Sequence, residues 1–89
     1  MKRPKHIRIY DNGGQTADRY TVVYMSAPSH VSPYRGTSYE SYGLSADPFS
    51  PLGVAQHCPA IPGPHLGKRI GWDALPEDCK RAVIQDTNA

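Results

Sequence analysis

Two strand patterns joined by a polar glycine turn, within residues 6–26 (HIRIYDNGGQTADRYTVVYMS), constrain this chain more than any other feature. In Ile7-Arg8-Ile9-Tyr10 aliphatic side chains alternate with a cation and a phenol, the period of two expected where one strand face is buried and the other is wet. Ile7 and Ile9 are therefore expected in the core. Across residues 19–26 nearly every side chain is β-branched or aromatic, with Tyr20, Val22 and Tyr24 on one face and Thr21, Val23 and Met25 on the other. Both faces are apolar enough for a central strand. Between the two, Asp11-Asn12-Gly13-Gly14 supplies side chains that bond their own backbone and residues that accept positive φ, which is turn chemistry.

Residues 1–5 read as a basic tail, 6–86 as a single domain and 87–89 as a short C-terminal end. Residues 27–37 (APSHVSPYRGT) hold two prolines and a glycine without periodicity and read as a long loop. Residues 38–44 alternate again, with Glu40, Tyr42 and Leu44 sharing a face, and are expected as a third strand beside the second. Residues 45–66 carry five prolines, which exclude a long helix or a central strand. Ser50 as N-cap and Pro51 in the first turn would suit a short helical piece over residues 51–57. Phe49, Leu52, Val54 and Ile61 are the expected anchors of this segment. Residues 67–71 (GKRIG) suit an edge strand guarded by its charges.

The last element is the clearest helix. Pro76 suits the first helical position, Glu77 and Asp78 place negative charge on the first turn, and Lys80-Arg81 follow. Leu75, Cys79, Ala82 and Val83 make one apolar stripe, which with Trp72 must pack on the hairpin. The expected fold is α+β: a small antiparallel sheet of three or four strands, a long Pro-rich irregular segment, and one C-terminal helix on the sheet.

A chain of 89 residues buries about 60 to 65% of its unfolded surface, enough for one thin core. The net charge is only +2, so any polyanion-binding surface must be local, and Lys2, Arg3, Lys5 and Arg8 make the N-terminus such a patch. Lys68-Arg69 and Lys80-Arg81 are two smaller ones. No apolar run spans a bilayer and no secretory leader pattern opens the chain, so a cytoplasmic protein with free Cys58 and Cys79 is expected.

Candidate chemistry is sparse. His57, Cys58, His65 and Cys79 are zinc-type ligands, but they lack the close pairs a structural zinc site presents, so no metal and no cofactor are expected. Asp11, Asn12 and Asp18 surround two glycines, yet without the alternating ligands and final Glu of a calcium loop they read as a turn. Cys79 belongs to the apolar stripe, and His57 beside Cys58 in an extended segment points away from it, so neither thiol has a base. No paired acids, phosphate loop or nucleophile elbow is present, and the expectation is a non-enzyme.

Taken together, YDNGG with TADRYTVVY, then SADPFSPLG, HLGKRI and ALPEDCKRAV resemble a group of small proteins of tailed bacteriophages and prophages. The resemblance covers most of residues 9–83. It implies a virus-type accessory gene and brings no catalytic residues with it. The expected function is binding: an accessory factor docking on a host or viral protein. Tyr34, Arg35, Tyr39, Tyr42, Phe49 and His65 form the expected surface, because tyrosine is enriched at interfaces. The alternative is a nucleic-acid-binding protein that uses Lys2, Arg3, Lys5 and Arg8 with exposed tyrosines.

Overall fold

The computed structural model describes residues 2–32 and 36–88, and of His30 and Ser32 only the backbone. Five strands form one antiparallel sheet: β1 (Ile7–Asp11), β2 (Tyr20–Ser32), β3 (Gly36–Leu44), β4 (Ala55–Ala60) and β5 (Lys68–Ile70). They lie in the order β4-β3-β2-β1-β5. Helix α1 (Glu77–Thr87) closes the chain, preceded by two turns of 3-10 helix, Pro64–Leu66 and Trp72–Ala74. The α+β reading holds, with five strands instead of three or four.

The hairpin has the expected register, with Ile9 opposite Val22 and Tyr10 opposite Thr21. Its turn is built from side chains. Asp11 Oδ1 accepts the Gly13 N–H at 2.8 Å, and Asn12 Oδ1 accepts those of Gly14 and Gln15 at 2.9 and 3.0 Å. Gly13 and Gly14 take φ of 76° and 86°, which a Cβ would disfavour. Arg19 clamps the far side by donating from Nε and Nη2 to the two Asp11 carboxylate oxygens at 2.8 and 3.1 Å.

Two sequence expectations fail here. Residues 27–32 are strand: β2 runs on to Ser32 and pairs again with β3, Pro28 opposite Tyr39 and Val31 opposite Thr37. Between those pairings β2 spends five residues from Val23 to Pro28 where β3 spends two, from Ser41 to Tyr39. Such a bulge bends the strand and frees Pro28 from the need for an N–H donor, so a proline that reads as a loop signal is accommodated. The second failure concerns residues 51–57, which are not helical. A tight turn closes through Ser50 N–H to Asp47 O and Gly53 N–H to Ser50 O, and β4 follows, pairing with β3 from Leu44 opposite Ala55 to Tyr39 opposite Ala60. Pro59 is tolerated in it because β4 is an edge strand.

The core lies between α1 and one face of the sheet. Ile7, Ile9, Tyr20, Val22 and Leu44 from the sheet meet Trp72, Leu75, Cys79, Ala82 and Val83, so the predicted stripe is buried throughout. Pro76 stands at the N-cap, one place before the predicted first helical position. Of the expected anchors of the Pro-rich segment, Phe49 and Leu52 face solvent, 53% and 94% exposed, because the turn carrying them leads away from the sheet.

The opposite face is covered as well, where a single apolar layer was expected. Tyr10, Val23 and Ser41 are buried there. Since β4 and β5 occupy opposite edges, residues 61–67 must cross the sheet, and Ile61, His65 and Leu66 line a cleft shared with Thr21 and Ser41. The crossing ends at Gly67, whose φ of 118° and contact with the Asp11 backbone leave no room for a Cβ.

Candidate functional site

The most distinctive surface is cationic and sits where the N-terminal segment meets β1 and β5. His6 adopts φ 60°, the one positive φ outside glycine among the described residues, and its carbonyl accepts the Met25 N–H at 2.8 Å. That bend turns the preceding residues back along the sheet, where Arg3 Nη2 donates to Ile7 O at 3.3 Å. β5 pairs with β1 so that Arg69 lies opposite Tyr10. Arg3, Lys5, Arg8 and Arg69 then line one shallow depression with His6 and Met25. A neighbouring cleft of about 550 Å³ is lined by Arg3, Arg8 and Arg69 with Trp72 and Asp73.

Electrostatics set this group apart. Among the described cations outside β5 and this end, each has a partner: Arg19 pairs with Asp11 at 2.8 Å, Lys80 with Glu77 at 3.6 Å and Arg81 with Asp78 at 3.5 Å. Among the described residues, Lys2, Arg3, Lys5, Arg8 and Arg69 form no ion pair, and Asp73 is the one carboxylate lining the clefts named above. Of the predicted N-terminal patch, Arg3, Lys5 and Arg8 share the depression with Arg69, which the fold adds, and Lys2 lies beside Arg3 and Lys5 in the adjoining one against the end of α1. The Lys68-Arg69 dipeptide was visible as a small patch, but nothing local shows that β5 returns beside β1.

A second cleft, of about 610 Å³, lies on the face away from α1. Thr21, Ser38, Ser41, Cys58, His65 and Asp18 supply its polar lining. Ser41 donates its hydroxyl to the Cys58 carbonyl at 2.5 Å, and its oxygen lies 3.7 Å from the Cys58 sulfur. The four zinc-type residues are divided: Cys58 and His65 face this cleft, Cys79 is in the core donating to Ser45 O at 3.1 Å, and His57 is engaged on the helix side. Among the described residues no three of His, Cys, Asp and Glu converge as a metal cage would require.

The expected aromatic surface is not one surface. Tyr34 and Arg35 lie outside the described residues. Tyr39 is half-buried on β3 and His65 belongs to the second cleft, while Phe49 is exposed on the turn before β4. Tyr42 stacks on His57, ring centroids 4.2 Å apart and planes within 4°. This stack belongs to a constellation that sequence reasoning missed. Asp86 on α1 accepts from Tyr24 Oη at 2.6 Å and from His57 Nε2 at 2.7 Å, so one carboxylate joins α1 to β2 and β4. An ionised carboxylate only accepts, which places the His57 proton on Nε2. Burial and then the Asp86 hydrogen bond push the Tyr24 phenol well above its ordinary range, keeping it a donor.

Compared with known proteins, the chain matches no family model, no curated protein and no solved structure. No described helix is long and apolar enough to cross a membrane.

Proposed function

We propose that this chain acts by binding a nucleic acid through Lys2, Arg3, Lys5, Arg8 and Arg69, as a non-catalytic accessory factor in the cytoplasm of a phage-infected or lysogenic bacterium. The observation that carries the reading is the gathering of four cations without ion pairs, Arg3, Lys5, Arg8 and Arg69, in one depression at one end of the sheet, with Lys2 in the adjoining one, while the described cations outside β5 and this end are held in ion pairs. Phosphate binding needs cations that are free to release counterions, and these are. The phage resemblance supplies the setting.

Fluorescence anisotropy with a labelled oligonucleotide over a salt series tests this. If all five cations engage phosphate, log K against log salt should fall with a slope of roughly −4 to −5. The Lys5→Ala, Arg8→Ala, Arg69→Ala variant should lose about three units of slope and more than tenfold in affinity at physiological salt. Binding that ignores salt, or absence of binding, overturns the reading.

A second reading, docking on a host or viral protein, is favoured by one observation: Phe49 and Leu52 stand out together on the Asp47 turn, 53% and 94% exposed. Recovery of a stoichiometric protein partner that survives nuclease treatment and is lost in the Phe49→Ala, Leu52→Ala variant would put this reading first.

A further inference from the structure

We infer that two copies of this chain pair through β4, edge to edge and antiparallel about a two-fold axis at Gln56, so that their two sheets become one. The inference does not rest on the nucleic-acid reading, because the cationic end lies at the opposite edge of the sheet, with β5. β4 is the outermost strand on its side, and five of its six residues are exposed. An exposed edge is a template for another strand, and proteins usually blunt it with charge or with brevity. β5 has both guards, being three residues long with Lys68 and Arg69 exposed. β4 has neither: residues 48–67 are the longest stretch of the chain without Asp, Glu, Lys or Arg.

The register follows from which backbone groups face outward. Ser45 N–H donates to Val54 O at 2.9 Å and the β3 pairing continues from there, so Val54, Gln56, Cys58 and Ala60 turn their backbone groups toward β3. Ala55, His57 and Pro59 point theirs outward, where a proline without an N–H is tolerated. The N–H groups of Ala55 and His57 have no acceptor among the described residues. A two-fold axis at Gln56 satisfies both: Ala55 N–H donates to the partner's His57 O and His57 N–H to the partner's Ala55 O, each twice by symmetry. An axis at His57 would instead drive the Pro59 ring against the partner's Ala55 carbonyl. Gln56 lies directly opposite the partner's Gln56, where the two amides can bond each other. The His57 ring is already held by Tyr42 and Asp86, so the strand is extended before a partner arrives. The pairing also brings the turn over residues 47–53, with exposed Phe49 and Leu52, alongside the partner's Pro59 and the partner's Ala60. So short a ladder buries less than the roughly 800 Å² per partner of a standard interface, and a micromolar dimer is expected.

Sedimentation equilibrium on the full chain, from about 10 μM to about 1 mM, tests this. The mass should rise from 9.8 kDa toward twice that value. Gln56 is exposed, so Gln56→Lys and Gln56→Glu should fold, as far-UV circular dichroism would verify. Each alone sets like charges against each other across the axis and should weaken the dimer about fivefold. Mixing the two variants in equal amounts should restore association as a heterodimer, which unfolding cannot produce. The same charges at exposed Gln15, in the β1–β2 turn, should leave the mass unchanged. Amide exchange gives a second readout on the native chain: Ala55 and His57 N–H should exchange more slowly as concentration rises. A chain that stays at 9.8 kDa throughout, with these two amides exchanging freely, overturns the pairing and leaves β4 open to a strand of another protein. A dimer indifferent to both Gln56 charges places the contact elsewhere and overturns it too.

Discussion

Cys79 and Cys58 show how much the surroundings of a side chain decide its chemistry. Cys79 lies in the core beneath α1, where burial, with Asp78 and Asp47 adding to it, pushes its thiol up to about 11. The thiolate is the reactive form, so at neutral pH Cys79 should resist alkylation until the protein unfolds, whereas exposed Cys58 should react in the native state. Mass spectrometry after a short iodoacetamide pulse, with and without denaturant, reads one label and then two. Asp11 is the opposite case: the Arg19 hydrogen bond first, then the Gly13 N–H, holds its carboxyl below the ordinary value of 3.8. A carboxyl whose folded pKa is depressed contributes stability that is full above its unfolded pKa and is lost as pH falls through its folded pKa. Chemical denaturation of Asp11→Asn should therefore show a smaller fall in stability below about pH 4 than the native chain shows.

Helix α1 depends on its packing. Eleven residues with a proline at the N-cap and no side-chain cap would be marginal alone in water. Leu75 just before the helix and Val83 within it are both buried, and Leu75→Ala should cost about 2 to 4 kcal/mol, read as a lower denaturation midpoint at constant slope. The C-terminal half is held differently. Asp86 places negative charge near the negative end of the helix dipole, an unfavourable position that the hydrogen bonds from Tyr24 and His57 offset. In the sheet, the free energy is concentrated where β1, β2 and β3 run side by side, because only there are both the ladder and the core face complete. Beyond the bulge, residues 30–32 and 36–38 have a single ladder and, apart from Ser38, little burial, so this part belongs to the low-stability end of the molecule.

At the scale of the whole molecule, the charge balance is misleading as an average. Ten cations and eight acids nearly cancel, yet four cations without ion pairs collect in one depression and several acids are spent holding a turn or flanking α1. A long-range field comes from such segregation and not from the net charge of +2. The second-face cleft and the cationic end are separate because residues 61–67 must cross from β4 to β5: the crossing roofs Thr21 and Ser41, then delivers Arg69 to β1.

The hairpin, its Asx-bonded turn, the edge strand at Arg69 and the stripe Leu75, Cys79, Ala82, Val83 were legible in the sequence, since each is a local pattern of periodicity or turn chemistry. What local pattern cannot carry was decided by the tertiary structure. Pro28 and Pro59 read as loop residues, but a bulge and an edge position relieve each of the hydrogen bond it cannot donate, so β2 lengthens and β4 exists at all. Arg69 joins Arg3, Lys5 and Arg8, and Asp86 joins Tyr24 and His57, through contacts between residues tens of positions apart. Such meetings are set by how strands pair and where the helix lies, and no spacing along the chain encodes them.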